Sequence, residues 1–210
     1  MGLGSGWHDQ EARAFGVDWP TQGGRFAVLE SQLQVIEKWR RGERVTFTGP
    51  GVHLEDAAMV PGPVGRLPIW IGGLGRQKTL RMAGRYADGW NAAYVPATEY
   101  RELNGVLDEW CANAGRSPSD VERSINLSYG LSTDDVSVVT SRLRDQWGAA
   151  ADRIIDGSLL GRPGDVVEQV ARFVEAGAQL INIAIRPPWD IDVLREYVED
   201  IVPQMRREFA

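Results

Sequence analysis

The chain has 210 residues, 43% of them hydrophobic and 25% charged, the balance of a globular protein with one sizeable core. A net charge of -6 and a pI near 5.0 argue against the basic face that nucleic acid or an anionic membrane selects. No apolar run is long enough for a membrane span and no charged-then-apolar leader opens the chain, so a cytoplasmic location is expected.

Met1 to Gly4 reads as the end of a strand running into Gly4-Ser5-Gly6, with Trp7-His8-Asp9-Gln10-Glu11 as the loop that follows. A helix is predicted over 25–41, because Phe26, Leu29, Leu33, Ile36 and Trp39 recur at three and four residues and form one apolar stripe. Alternating stretches at 45–48 and 52–54 flank Gly49-Pro50-Gly51 and predict a short hairpin. A connector with Pro61, Pro63 and Pro68 follows, so 42–68 reads as a hairpin and Pro-rich insertion. Ile69-Trp70-Ile71 is a short strand ending in Gly72-Gly73, and a helix starting near Arg76 turns Leu80, Ala83 and Ala87 inward.

The alternation continues with a strand at Gly89-Trp90-Asn91 and a helix carrying Tyr100, Leu103, Leu107, Trp110 and Cys111. The single cysteine has no partner for an internal disulfide and reads as a small core residue rather than a nucleophile. Ile125, Leu127 and Tyr129 alternate as a strand, and helical sequence returns from Asp134 to Trp147. Pro163 opens a helix that buries Val166, Val170, Phe173 and Val174, with Gly177 as its C-cap. Leu180 to Ile185 is a continuous apolar strand, and a last helix carries Leu194, Tyr197, Val198, Ile201 and Met205.

Repeated strand–helix units with short connectors imply an α/β fold with a parallel sheet covered by helices. At most five such units can be counted, whereas a closed TIM-type barrel needs eight. The expected architecture is therefore an incomplete parallel (β/α) barrel in a single domain, 1–210, with a doubly wound sheet as the alternative.

Ile69 to Arg76 leads a strand through glycines into a helix. Such a turn lets backbone N–H groups approach an anion, with Arg76 or Thr79 adding a charge or a hydroxyl. A tight strand–helix turn with no ligand fits the same residues. The segment also comes near a P-loop, but Gln77 stands where that loop needs glycine. Gly2-Leu3-Gly4-Ser5-Gly6-Trp7 lacks the third glycine of a dinucleotide fingerprint. Trp7 could wall a flat ring, and His8 and Glu11 are candidate proton-moving groups; a solvated loop is the plainer reading. His53 belongs to the hairpin, and the two histidines have no metal-ligand spacing, so no metal is expected. Asp88 precedes its strand and reads as a cap or ion-pair partner, whereas Asn91 leaves the strand on the ligand side.

Gly4-Ser5-Gly6-Trp7-His8, Phe15-Gly16 and Gly24-Arg25-Phe26 resemble the opening of the middle section of luciferase-like monooxygenases, in particular the branch that uses the deazaflavin coenzyme F420. Pro68 to Gly73, Thr79-Leu80-Arg81, Ala87 to Asn91 and the turn from Leu160 to Val166, which looks like that family's late phosphate-side loop, extend the resemblance along the whole chain. It implies an oxidoreductase carrying out hydride transfer or monooxygenation of a small organic substrate. Coenzyme F420, ahead of FMN, would lie across the C-terminal mouth of the barrel. On the same resemblance Gly72, Gly73, Gly75, Arg76 and Thr79 hold the phosphate end. Gly4, Gly6 and Trp7 lie nearer the ring, and Asn91 lies near the pocket. The chain matches the C-terminal two-thirds of such a barrel. The first three units, which in the family bring a histidine near the ring, are not in it, so inactivity of this fragment alone is expected. The alternative is a non-catalytic cofactor-binding or assembly subunit, a homodimer joined through an exposed sheet edge.

Overall fold

The computed structural model describes residues 1–131, 136–161, 163–184 and 189–209. Its elements are β1 (Gly2–Leu3), α1 (Asp9–Ala14), α2 (Gln22–Arg40), β2 (Val45–Gly49), β3 (Val52–Ala57), β4 (Trp70–Gly72), α3 (Thr79–Tyr86), β5 (Gly89–Ala93) and α4 (Ala97–Asn113). They continue with β6 (Glu122–Leu131), α5 (Val136–Trp147), α6 (Ala151–Asp156), β7 (Ser158–Gly161), α7 (Pro163–Glu175), β8 (Leu180–Ala184), α8 (Ile191–Glu196) and α9 (Val202–Phe209). Asp134 at the expected helix start, Arg162 in the late turn and Ile185 at the expected strand end lie outside the described residues.

The fold is mixed α/β with a parallel sheet, and the chain forms two compact units: Met1–Trp90 with Leu107–Val121, and Asn91–Val106 with Glu122–Ala210. Among the described residues six strands enter the sheet, against at most five strand–helix units expected.

In the first unit β1 pairs in parallel with β4, Gly2 opposite Trp70 and Leu3 opposite Ile71, and β5 follows β4 in the strand order. Ile69, Ile71, Leu80, Met82, Ala83 and Trp90 are essentially fully buried and form the core. The antiparallel hairpin β2–β3 pairs Gly49 with Val52 across Pro50 and Gly51, as expected. Its turn packs on α2: a Cβ on Gly49 would lie 2.8 Å from the Ser31 hydroxyl, and one on Gly51 2.7 Å from Val28. This packing accounts for the burial of Ser31; α2 also buries Val35 with Leu29 and Leu33, where a single stripe was expected. The helix also begins three residues before the predicted start, because Thr21 caps it by accepting a hydrogen bond from the Gly24 amide.

Two expectations fail on short elements. Trp7 to Glu11 was expected to be loop, yet Asp9–Ala14 is helical. That helix buries no residue and so leaves no apolar period, and its support is local, from Asp9 and Glu11 in the first turn and Arg13 in the last. Conversely, α3 begins at Thr79 rather than near Arg76, so residues 73–78 form a longer loop than expected.

Helices α3 and α4 meet at Gly84, where a Cβ would lie 2.8 Å from the Trp110 carbonyl carbon and 2.9 Å from the Cys111 nitrogen. Gly84→Ala is therefore expected to destabilise the protein by about 1–3 kcal/mol. Gly105→Ala, on the same α4 with nothing within 4 Å of its Cβ, should gain roughly 0.5–1 kcal/mol. Urea midpoints of the two variants check this, and a Gly84→Ala protein as stable as wild type would mean that the helices can separate freely.

In the second unit β5 precedes β6 in the strand order, and β6 pairs in parallel with β7 over 128–131 and with β8 over 124–128. Tyr100, Leu103, Ile125, Leu127, Leu159, Val166 and Phe173 form its core. Helix α7 ends as expected at Gly177: with φ of 102°, its N–H bonds the Val174 carbonyl while Ala178 bonds Phe173, the paired closure that a left-handed residue makes possible. Strand β8 forms where the apolar run was read, with Leu180 41% exposed and Asn182 facing outward with it.

The last helical segment also departs from its predicted stripe. Residues Tyr197–Ile201 form a π-helical turn, because Pro203 has no N–H to return to the preceding turn. Tyr197 and Ile201 are buried as expected, but Val193 rather than Leu194 is buried with them, and Val198 is 54% exposed.

Candidate functional site

The parallel register of β1 and β4 places their C-terminal ends side by side, so a Cβ on Gly4 would lie 3.8 Å from the Gly72 carbonyl oxygen. Nothing lies within 4 Å of where a Gly72 Cβ would be. The two strand ends thus present a ledge of bare backbone. Beyond it the loop folds back over the start of α3: Cβ atoms on Gly73 and Gly75 would lie 3.5 and 3.0 Å from Thr79 Oγ1. Thr79 is buried beneath these glycines, and the Leu80 N–H closes the loop on the Gly75 carbonyl at 3.0 Å.

Two indoles hold this loop from behind. Trp90, fully buried, donates from Nε1 to the Gly73 carbonyl at 2.8 Å. Trp110, half-buried on α4, donates to the Arg76 carbonyl at 2.8 Å.

The Gly4 to Gly6 turn is braced separately. Arg25 donates from Nε to the Ser5 carbonyl at 3.0 Å and from Nη1 to Pro20 at 2.8 Å, while its guanidinium lies 4.1 Å from the Trp19 ring centre. The edge of the Trp19 ring fills the space where Gly6 would carry a Cβ, 3.0 Å away. Lys78 brings a further charge: its Nζ lies 5.4 Å from the Phe26 ring centre and 3.7 Å from a Cβ position on Gly23, in the first turn of α2. A cation at the positive end of a helix dipole is repelled, and an anion placed between them would relieve both. Arg76 and Lys78 are exposed in the loop that continues the ledge.

His8 and Glu11 are brought together by one turn of α1, with Nδ1 and Oε2 3.7 Å apart and both side chains largely exposed. Trp7 is 87% exposed, and its ring centre lies 5.0 Å from that of His8. Asp88, expected as an ion-pair partner, accepts from Arg40, from Arg66 at 2.7 Å and from the Ile69 N–H at 2.8 Å. His53 is a hairpin residue, its Nδ1 3.0 Å from the cross-strand Thr48 hydroxyl. Cys111 is a buried core residue.

Asn91 belongs to the second unit, where its Nδ2 donates to Ser124 Oγ at 2.8 Å and to Asn126 Oδ1 at 3.1 Å. Ser124 is fully buried. This unit also holds a cleft of about 750 Å³ lined by Thr98, Asp156, Asp165, Glu168, Arg172 and their neighbours. Among the described residues that line it, the carboxylates of Asp156, Asp165 and Glu168 stand with the guanidinium of Arg172. The late turn expected to lie on the phosphate side contributes Asp165 to this acidic wall. The glycine ledge of the first unit, whose loop carries the exposed Arg76 and Lys78, is the candidate anion site. Among the described residues no helix is long and apolar enough to cross a membrane.

Of these groups, reasoning from sequence missed Lys78 and Arg25 as neighbours of the ledge, the two indole donors, and Ser124 with Asn126. The last pair did leave a trace. Ser124, Asn126 and Ser128 form the polar phase of the alternation whose apolar phase was read as the strand.

Residues 1–151 match the family described as luciferase-like monooxygenase. The chain is similar to an F420-dependent glucose-6-phosphate dehydrogenase of Microbacterium testaceum (strain StLB037), 29% identical over 239 residues that cover 100% of this chain and 69% of the relative. Its fold is similar to that of an F420-dependent secondary alcohol dehydrogenase in complex with an F420-acetone adduct, with a TM-score of 0.79 and 19% identity over 96% of this chain and 69% of that one. It is also similar to the coenzyme F420-dependent tetrahydromethanopterin reductase from Methanopyrus kandleri, with a TM-score of 0.74 and 16% identity over 97% of this chain and 73% of the other. The chain belongs to the luciferase-like monooxygenase family.

Proposed function

We propose that this chain binds the phosphate-bearing tail of a flavin-type cofactor, coenzyme F420 or FMN. It would serve an oxidoreductase that carries out hydride transfer or monooxygenation on a small organic substrate. The observation that carries the reading is the bare glycine ledge at Gly4 and Gly72, continued by a loop whose Gly73 and Arg76 carbonyls are held by two indoles and which carries the exposed Arg76 and Lys78. Open backbone at the C-terminal ends of parallel strands is where such folds take their ligands, and a cationic rim selects an anionic one. The F420-dependence of similar dehydrogenases favours the deazaflavin. The reading takes the parallel sheet as part of a TIM-type (β/α) barrel.

When bound, the flavin or deazaflavin supplies the hydride or electron chemistry. The chain's own residues bind and orient. Gly72, Gly73, Gly75, Arg76 and Thr79 would hold the phosphate end, with Gly4, Gly6 and Trp7 toward the ring. Asn91, fixed by Ser124 and Asn126, would orient a polar edge of the ligand. His8 and Glu11 stand close enough to share a proton through a water, and they would hold or move one at the substrate.

Fluorescence titration tests the cofactor class. Coenzyme F420 is compared with the deazaflavin lacking its phosphate-bearing tail, and FMN with riboflavin. In at least one pair the phosphorylated member should bind about tenfold tighter or better, the size of one or two charge-assisted hydrogen bonds. Equal affinities within both pairs would remove the phosphate site.

A further inference from the structure

A loop that binds an anion through its amides must keep its carbonyl oxygens from facing the same anion. In water those carbonyls turn toward solvent and the loop samples many shapes. Here the carbonyls of Gly73 and Arg76 are each engaged by an indole N–H at 2.8 Å. Trp90 is fully buried in the core of the unit, so its presence there follows from packing alone. Trp110 differs, being only half-buried, yet it reaches a carbonyl in the middle of the loop. It does so because Gly84 has no side chain: the α3 and α4 backbones meet at contact distance there, with Trp110 itself at the crossing.

We propose that Trp110 is a positioning residue for the phosphate-binding loop. Its indole N–H anchors the Arg76 carbonyl and so orders Gly73 to Lys78 before ligand arrives. This rests on the phosphate reading of the ledge and adds to it a residue outside the ledge, on a different helix. The physical gain is preorganisation: a loop already held in its bound shape loses less conformational freedom on binding. The benefit applies to ligands that use the loop. A ligand with the same ring and no phosphate should not feel it.

The test uses whichever phosphorylated cofactor, coenzyme F420 or FMN, wild type prefers over its phosphate-free counterpart, and measures both members of that pair in wild type and in full-length Trp110→Phe, which keeps an aromatic ring and loses the donor. The expected result is a loss of about tenfold in affinity for the phosphorylated member, the effect of one hydrogen bond, with the phosphate-free member changed less than twofold. A wild type with that preference, combined with a variant that keeps it or loses both ligands equally, would overturn the role of Trp110 and leave the phosphate reading standing. A wild type with no preference in either pair would sink the phosphate reading itself, and this inference with it. If Trp110→Phe fails to fold, 3-benzothienylalanine at position 110 retains the bicyclic shape without the N–H and decides between the same outcomes.

Discussion

Asp88→Asn is expected to lower the stability of the protein by about 3 kcal/mol at neutral pH. The carboxylate ties together three parts of the first unit that are distant in sequence. It accepts from Arg40 at the end of α2, from Arg66 in the Pro-rich connector and from the Ile69 N–H at the entry to β4. Its side chain is 13% exposed and that of Arg40 is 25% exposed, so water replaces these bonds poorly. Asparagine keeps the shape but offers one acceptor oxygen, and it leaves the guanidinium of Arg40 half-buried without its counter-charge.

The pH dependence carries a sign. Burial by itself pushes the Asp88 carboxyl up, but the Ile69 amide and the guanidiniums of Arg66 and Arg40 outweigh it and hold the carboxyl below its ordinary value. A depressed carboxyl contributes stability that is complete above its unfolded value, about 3.9, and is lost as pH falls through the folded value. Wild type and Asp88→Asn should therefore differ fully at neutral pH and converge as the solution is acidified below about pH 4. Urea midpoints at neutral pH and at about pH 3 read this directly. A gap that persists undiminished in acid would mean that Asp88 acts through shape rather than charge.

What the sequence revealed, and what it did not, follows from which interactions are local. The hairpin was legible because β2 and β3 alternate around a Pro-Gly turn, and the α7 terminus because Gly177 stands where a left-handed residue is needed. Asp88 was read as a cap or ion-pair partner from its place before β5, and the ion pair is what forms. Strand β7 was missed because Ser158 to Gly161 is four residues long and buried throughout, and a short unbroken buried run has no period to read. Helix α1 was missed for the opposite reason, having no buried residue at all.

In the candidate site the division is the same. The glycines between β4 and α3 announce close backbone approach by their identity. Nothing local to Trp110 connects it to Arg76, thirty-four positions away; that link exists only because Gly84 lets two helices meet. Arg25 and Lys78 likewise owe their positions to Trp19 and to the first turn of α2. Periodicity marks which residues face inward, but not which carbonyl a buried indole will find.

Gly72 and Gly73 stand side by side and are expected to respond to alanine in different ways. Gly73 has φ of 127°, where a side chain strains the backbone by roughly 1–3 kcal/mol, and its Cβ would lie 3.3 Å from the Thr79 methyl. Gly73→Ala should therefore lose stability and, by shifting the carbonyl that Trp90 holds, lose on the order of a hundredfold in affinity for the phosphorylated cofactor. Gly72 has no such constraint, and its Cβ would enter open space. Gly72→Ala should unfold within about 0.5 kcal/mol of wild type. If the phosphate rests against this ledge, the added methyl occupies that space, and FMN or F420 should weaken by tenfold or more while the phosphate-free ring systems bind as before. A Gly72→Ala protein with undiminished affinity for both phosphorylated cofactors would show that nothing anionic sits there. Stability and affinity, read on the same two proteins, thus separate a glycine kept for its backbone from one kept for its empty space.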